Sequence, residues 1–178
     1  MGTGTMYLKI VGCICIIIAC SGYGFSKGKE YKKHIDEVEE LRRIAVMFAT
    51  ETSFSKLPIA DLAVRISKKV IEPYKSWLLR LADDLQKERQ NTLSIVWQKE
   101  AEGLLSNLSL SEEEEEELKG LGGQIGNYNI KMQETAFRWY ASCLEERRER
   151  LLKDVSEKQR LCNSLGVLAG IFLVIILI

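Results

Sequence analysis

The segment KLPIADLAVRISKKVIEPYKSWLLRLADDLQK, residues 56–87, decides the fold class of this 178-residue chain. Apolar side chains recur in it at intervals of three and four residues, which is the spacing of one helix face. Pro73 breaks the pattern and opens a new helix, because proline is tolerated in a first helical turn. The two apolar stripes are Ile59, Leu62, Ala63, Ile66 and Val70, and then Tyr74, Trp77, Leu78, Leu81 and Leu85. The segment therefore predicts an all-α fold made of short helices.

The same spacing continues on both sides of this segment. Upstream, a stripe predicts a helix that ends near Thr52, with Ser55 as the N-cap of the next helix and Pro58 in its first turn. Downstream, Asn91 or Thr92 is placed to cap a further helix. The upstream stripe is Val38, Leu41, Ala45 and Phe48, and the downstream stripe is Leu93, Val96, Trp97, Ala101, Leu104 and Leu108.

Glycines and a capping pattern predict the two remaining helices. Ser111 and Glu114 have the spacing of a capping box, which marks a helix start. We expect Gly122 and Gly123 to end that short helix in a left-handed cap, with Gly126 in a hinge before a last helix. Asn127 is its expected N-cap, and its expected stripe is Met132, Ala136, Trp139, Cys143, Leu151 and Val155. The sequence thus predicts a bundle of about six helices, whose short connections favour antiparallel neighbours.

Two stretches of the chain, residues 10–25 and 161–178, carry no charged side chain. Eighteen helical residues extend about 27 Å at roughly 1.5 Å per residue, close to the thickness of a hydrocarbon core. A buried core helix is the alternative, but such a helix normally keeps a polar face, and GVLAGIFLVIILI has none. We therefore predict transmembrane segments at 1–25 and 161–178, on either side of a helical domain at 26–160.

The basic residues near these stretches predict the topology. Lys9 precedes the first stretch, whereas several lysines follow it, and the second stretch is preceded by six basic residues. The positive-inside rule therefore predicts that the helical domain lies in the cytoplasm and that both termini lie on the opposite side of the membrane. The flanking residues are Lys27, Lys29, Lys32 and Lys33, and then Arg147, Arg148, Arg150, Lys153, Lys158 and Arg160.

The cysteines leave one alternative open. Ile17-Ile18-Ala19-Cys20 fits a loose lipobox, so an exported lipoprotein cleaved before Cys20 remains a second interpretation, opposed by the lack of a basic cluster before the apolar stretch. The spacing of the five cysteines forms neither a metal site nor a disulfide framework, which favours a reducing compartment. They are Cys13, Cys15, Cys20, Cys143 and Cys162.

The net charge does not indicate a nucleic acid or an acidic substrate as the ligand, because the 25 basic and 25 acidic side chains balance. The acidic run Glu112, Glu113, Glu114, Glu115, Glu116 and Glu117 is either a solvated helix start or a docking surface for a basic partner. Consecutive helical carboxylates point around the axis and cannot converge on one ion, so no metal site is expected. The basic residues beside the predicted spans are placed to contact anionic lipid headgroups.

No residue pattern argues for catalysis or for a cofactor. His34 is the only histidine, and the sequence names no partner that would orient it as a general base, so we expect a solvated surface histidine. The chain lacks the glycine-rich loop with Lys-Ser/Thr of P-loop ATPases. GLGGQIG is rich in glycine, but no strand precedes it, as a dinucleotide fingerprint would require.

Four stretches, taken in order, resemble the stage III sporulation protein AB family of endospore-forming bacteria. They are YLKIVGCICIIIACSGYGFS, ETSFSKLPIADLAVRI, LGGQIGNYNIKMQ and SLGVLAGIFLVIIL. The resemblance covers almost the whole chain, and the Ser-Leu-Gly-Val-Leu-x-Gly pattern is its most specific part.

The resemblance implies a membrane protein of the mother cell, in the complex that connects it to the engulfed forespore. It implies a six-helix domain similar to one cytoplasmic domain of the type II secretion and type IV pilus platform protein, the F component. The implied partners are stage III sporulation protein AA, which is the ATPase of the complex, and other subunits of that complex. The family supplies no catalytic residues.

The resemblance to the platform protein is incomplete. A full platform protein has two such domains and about three spans, whereas this chain has room for one domain and two spans. The expected function is a non-enzymatic membrane adaptor of a sporulation-specific, secretion-like channel. The alternatives are a platform protein of a secretion or pilus system outside sporulation, and an exported lipoprotein with a helical binding domain.

Overall fold

The computed structural model describes residues 30–87, 92–126 and 129–177, with side chains up to residue 157. In this part of the chain there are six helices and no strand, as the apolar periodicity predicts. They are α1 (30–55), α2 (Ile59–Ser67), α3 (Tyr74–Lys87), α4 (Leu93–Leu105), α5 (Glu112–Ile125) and α6 (Ile130–Leu177). Residues His34–Lys153 form one compact unit, called the body below, and the described residues on either side of it belong to a second unit.

Helices α2 to α5 pack in sequence order, α2 on α3, α3 on α4 and α4 on α5. Four aromatic rings from four helices meet at the centre of the body. Phe48 of α1 stacks on Phe137 of α6 with 4.8 Å between ring centroids, and Trp97 of α4 meets both rings edge-on at 6.2 Å. Trp77 of α3 stands 5.4 Å from Trp97. These contacts, each worth about 1 kcal/mol beyond area burial, fix the relative positions of the helices.

The predicted apolar stripes of the first four helices lie in the core, as expected from their spacing. The sequence also placed the capping box correctly, since Ser111 and Glu114 bond each other's backbone N–H at the start of α5. Stripe residues with at most 8% of their surface exposed are Val38, Leu41, Ala45, Phe48, Ile59, Leu62, Ala63, Ile66, Val70, Tyr74, Trp77, Leu78, Leu81, Val96, Trp97, Ala101 and Leu104.

The hinge prediction for Gly122 and Gly123 is wrong. Both lie inside α5, which continues to Ile125, and no described glycine has a positive φ. Gly126 follows the helix as its C-cap with a right-handed φ of −64°. The physical reason for Gly122 is space, because a Cβ there would stand 2.7 Å from Trp97 Cδ1. The connection to α6 therefore begins after α5 ends at Ile125.

Two further predictions, which placed Ser55 at the N-cap of α2 and Pro58 in its first turn, are wrong. Ser55 is the last residue of α1, where its hydroxyl donates to the Glu51 carbonyl, and Pro58 takes the N-cap position of α2. Thr92 is the N-cap of α4 without a side-chain bond. At α6 the Asn129 side chain accepts from the Lys131 N–H. The other predicted caps, Asn91 and Asn127, lie outside the described residues.

The predicted stripe of α6 is wrong in its phase. Ala136 is buried as expected, but Met132 and Trp139 are 52% and 49% exposed. The buried side of α6 instead carries Ala136, Phe137, Tyr140, Ala141 and Leu144. The helix is rotated by about one residue, near 100°, from the predicted orientation, because the stack of Phe137 on Phe48 sets its inner face.

The predicted membrane segments are not described in full. Residues 1–25 lie outside the described residues, and at 161–178 the structure describes a helical backbone up to Leu177 without side chains. Among the residues that the structure describes, no helix has both the length and the apolar character that a membrane crossing requires.

Candidate docking face on helices α5 and α6

Helices α1 and α6 run antiparallel, and a ladder of ion pairs joins them. Arg42 of α1 contacts Glu145 of α6 at 2.9 Å, and Glu39, one turn earlier on α1, contacts Arg148, which lies further along α6, at 3.1 Å. The Arg42 guanidinium, which donates to Glu39, holds the pKa of that carboxyl below its usual value. His34 and Lys153 therefore lie at the same end of the body.

The start of α5 lies at this same end and is clamped to α1. Glu114 Oε2 accepts the Ser111 N–H at 2.7 Å and also lies 2.7 Å from His34 Nε2, a contact that spans 80 residues. In addition, Glu37 Oε2 accepts the Ser109 N–H at 2.8 Å. These contacts of His34 with Glu114 and of Glu37 with Ser109 are called the clamp below. They place the first turn of α5 beside the part of α1 where the body begins.

The expectation that His34 is a solvated surface histidine is wrong. Its side chain is 20% exposed and its partner Glu114 only 4%. Burial disfavours ionisation of Glu114, but the Ser111 backbone N–H and His34 together hold its pKa below the usual value. Because the carboxylate is occupied by a helix cap, the pair acts as a structural clamp.

The acidic run does not form one surface. Glu114 is buried in the clamp, and Glu115 lies 3.6 Å from Lys119 on the same helix. Arg147 of α6 contacts Glu113 at 3.1 Å and Glu117 at 2.5 Å. Glu112 and Glu116 are exposed, and Glu113 keeps 82% of its side chain in solvent despite its partner. The exposed carboxylates are thus Glu112, Glu113 and Glu116.

A groove runs between α5 and the first half of α6, and two cavities form it. The larger, about 850 Å³, is lined mainly by apolar surface, and the smaller, about 400 Å³, opens beside Arg147. Gln124 and Trp139 line both cavities. The remaining lining residues are Gly123, Asn129, Lys131, Met132, Thr135 and Ala136 for the larger, and Glu113, Glu116, Glu117, Gly120 and Arg147 for the smaller.

Two exposed glycines of α5, Gly120 and Gly123, line this groove, which is called the α5–α6 groove below. A Cβ at Gly120 would have no neighbour within 4 Å, and one at Gly123 would meet only the Ser94 hydroxyl at 3.9 Å. The sequence pattern predicts a hinge at Gly123 and a core position for Met132 and Trp139, so it does not reveal the groove. The available signal was the wide apolar surface of α6, which supplies one stripe to the core and leaves a second exposed.

The described residues contain no metal-ion cluster of three or more histidine, cysteine or acidic side chains. Cys143 is a half-buried free thiol whose pKa is raised by burial and by Glu117. Burial also raises the pKa of Tyr140, whose side chain lies in the core, well above its usual value. The face formed by α5 and α6 is therefore a surface of carboxylates, glycines and half-exposed apolar side chains.

Comparison with known proteins identifies the family. The family model described as stage III sporulation protein AB matches residues 9–178. Stage III sporulation protein AB of Bacillus subtilis (strain 168) is 24% identical over 170 residues, which cover 96% of this chain and 99% of that protein. A solved structure of stage III sporulation protein AB has the same fold, with a TM-score of 0.62 and 19% identity over 72% of this chain and 98% of that one. The chain therefore belongs to the stage III sporulation protein AB family, and its role lies in sporulation.

Proposed function

We propose that this protein is a non-enzymatic membrane adaptor of a secretion-like complex between mother cell and forespore. Two spans, at 1–25 and 161–178, would hold it in the mother-cell membrane around the forespore. The body would lie in the cytoplasm and both termini on the opposite side, and anionic lipid would contact the basic residues beside the spans.

One observation carries this proposal, namely the antiparallel pairing of α1 and α6. Because the Glu39–Arg148 and Arg42–Glu145 contacts bring residues 34 and 153 to one end, both connections leave the body on the same side. A domain held at two points of one end suits a hairpin of two membrane spans, since neither connection has to cross the body. The sides of the body, which include the face formed by α5 and α6, are then free to bind cytoplasmic partners.

The mass of the mature protein tests this topology. If the hairpin is right, the mature protein keeps the apolar stretch that contains Ile17 and Ala19. A mature chain that starts at a lipid-modified Cys20 contradicts the hairpin and supports the lipoprotein interpretation instead. Protease added to mother-cell membrane vesicles with the cytoplasmic side outward should also remove the body.

We further propose that the adaptor docks the cytoplasmic ATPase of the complex, stage III sporulation protein AA, together with other subunits of that complex. The acidic run is either a solvated helix start or a docking surface, and we propose the second interpretation for the three carboxylates that the fold leaves exposed, Glu112, Glu113 and Glu116. Exposed carboxylates at the rim of an interface steer a basic partner and make binding sensitive to salt.

The docking proposal is tested by removing these three charges and measuring recovery of the ATPase from detergent extracts. The triple variant Glu112→Gln, Glu113→Gln, Glu116→Gln should recover much less ATPase and lose its salt dependence. Glutamine is chosen because lysine in the first turn would oppose the helix dipole.

A matched control removes three exposed carboxylates from other helices of the body: Asp61→Asn, Asp83→Asn and Glu102→Gln. It should recover as much ATPase as the unchanged chain. If both triple variants lose the ATPase equally, net charge and not this surface is responsible. If the unchanged chain recovers none and its deletion leaves spore formation intact, the adaptor proposal is wrong.

A further inference from the structure

The α5–α6 groove continues directly from the carboxylates that we propose as the ATPase docking surface. Glu113 and Glu116 line its smaller cavity, while Gln124 and Trp139 line both cavities, so one surface runs from the acidic residues into the larger cavity. Trp139 is 49% exposed where the two cavities meet. An exposed indole in a groove leaves apolar surface in water, and such patches mark interaction sites.

The shape of the groove fits a helix that lies along α5 and α6. Gly120 and Gly123 leave the α5 side without side chains, and a Cβ at Gly120 would have no neighbour within 4 Å. A partner helix can therefore approach the backbone of α5 closely. Lys131 and Arg147, which line different cavities, are sixteen residues apart on α6. The groove is thus about 24 Å long, which accommodates about four turns of a helix.

The two ends of the groove differ in charge. Three carboxylates and the Arg147 guanidinium line the smaller cavity and leave a net charge of −2. Among the described residues, Lys131 is the only charged side chain that lines the larger cavity. Trp139 lies between these ends, eight residues and so about 12 Å from each along α6. A complementary helix is therefore basic at one end, apolar in the middle and acidic at the other end.

We propose that the α5–α6 groove binds one amphipathic helix of the ATPase. The inference rests on the docking proposed above, and it adds the position and the chemistry of the partner segment. The basic end of this helix contacts Glu113 and Glu116. An apolar side chain in its middle sits over Gly120 against Trp139, and an acidic side chain at its other end faces Lys131. Helices bind in grooves by such apolar anchors, and tryptophan is a frequent centre of binding energy at interfaces.

The first test measures the affinity of the full chain in detergent for the ATPase at several salt concentrations. Trp139→Ala should weaken binding about thirty-fold or more, as expected for a central tryptophan. It should leave the salt dependence unchanged because it removes no charge, whereas the triple glutamine variant described above should lose that dependence. Leu79→Ala, at a similarly exposed leucine on α3, is the control and should bind like the unchanged chain.

Gly120→Leu tests the shape of the groove without removing a contact group. The melting temperature should not fall, because the new Cβ meets no neighbour in the unbound chain. Binding of the ATPase should weaken about ten-fold or more, because the added side chain fills space that the partner helix requires. Gly103→Leu is the matched control, at an exposed glycine of α4 where a Cβ would stand 3.7 Å from the Arg80 guanidinium, and it should bind normally.

The second test locates the partner segment with a photoreactive benzophenone amino acid in place of Glu113, Trp139 or Lys131. Mass spectrometry identifies the ATPase residue to which each position crosslinks. Arg147 holds Glu113 at its own level of the groove, so the three positions are spaced about 12 Å apart. The crosslinks should therefore fall on one ATPase helix, about eight residues apart and with position 139 in the middle. Position 113 should mark a site beside lysine or arginine, and position 139 an apolar residue.

Three results would overturn the proposal while the docking itself remains. The first is normal affinity of both Trp139→Ala and Gly120→Leu when the triple glutamine variant loses the ATPase. The second is a crosslink from position 113 with none from position 139. The third is a set of crosslinks that fall on unrelated segments of the ATPase. An unchanged chain that binds no ATPase at any salt concentration would contradict both this proposal and the docking.

Discussion

Gly122 and Gly123 are neighbours in α5, yet they face different surroundings. A Cβ at Gly122 would overlap the indole of Trp97, at 2.7 to 2.9 Å, whereas a Cβ at Gly123 would meet only the Ser94 hydroxyl at 3.9 Å. The Gly122 side of α5 belongs to the core, and there the Leu118 carbonyl also accepts the Trp97 Nε1–H at 2.8 Å. The Gly123 side lines the α5–α6 groove.

Helix α6 repeats the contrast with aromatic residues. Phe137 is fully buried in the stack with Phe48, whereas Trp139, two residues later, is half exposed in the groove. The comparison teaches that residue type alone does not assign a role in these two helices. Position around the helix axis separates the residues that hold the fold from those available for binding, and the following changes test that separation.

The largest effect should come from the aromatic pair on α6. Phe137→Ala should lower the free energy of unfolding by about 3–5 kcal/mol, because it removes a fully buried ring and leaves a cavity. Trp139→Ala should change it by about 0.5 kcal/mol or less, as expected for a surface position. Urea unfolding followed by circular dichroism measures both. Similar losses for the two variants would show that the division of α6 into two faces is wrong.

An intermediate effect should come from the clamp at the start of α5. Glu114→Gln should lower the free energy of unfolding at neutral pH by about 1 kcal/mol, because it weakens a capping box and the contact with His34. The folded-state pKa of Glu114 is below the unfolded value, so its contribution is present above about pH 4.3. This contribution is lost as the pH falls through the folded pKa.

The difference between Glu114→Gln and the unchanged chain should therefore shrink as the pH falls below about 4. Thermal unfolding at several pH values measures this. Glu112→Gln is the matched control, since that residue is exposed on the same turn and should show only a small difference. A constant difference for Glu114→Gln down to low pH would mean that its ionisation does not contribute.

The smallest effect is a gain in stability on the groove side of α5. Gly120→Ala should raise the free energy of unfolding by up to about 1 kcal/mol, because alanine favours a helix and the added methyl group meets no neighbour. Differential scanning calorimetry measures this as a higher melting temperature. A lower melting temperature would show that Gly120 has a packing role in the monomer.

Much of the fold followed from the sequence, for physical reasons that apply to each element. The stripes of α2 and α3 have one apolar face each, so their orientation has one solution, and Ser111 with Glu114 is a local signal that needs no tertiary partner. Helix α6 has two apolar faces. Its sequence permits both Met132–Trp139 and Phe137–Leu144 as the inner side, and only packing against Phe48 selects the second.

The candidate site was less predictable, because its contacts join distant parts of the chain. No local pattern pairs His34 with Glu114 across 80 residues. The GLGG sequence indicates a helix end as readily as a helix that packs closely against an indole, and the structure has the second arrangement at Gly122. The acidic run predicts the start of α5 correctly. It does not show which of its carboxylates bind Arg147, which one is buried in the clamp and which remain in solvent.

The most direct test of the two-sided α5 is the difference in melting temperature between Gly122→Ala and Gly123→Ala. Both variants make the same chemical change at adjacent positions of one helix, so helix propensity cancels. Gly122→Ala should lower the free energy of unfolding by about 1–3 kcal/mol, because the added methyl group clashes with Trp97. Gly123→Ala should have a melting temperature equal to or higher than that of the unchanged chain. Equal shifts of the two variants would contradict the assignment of one side of α5 to the core and the other to the groove.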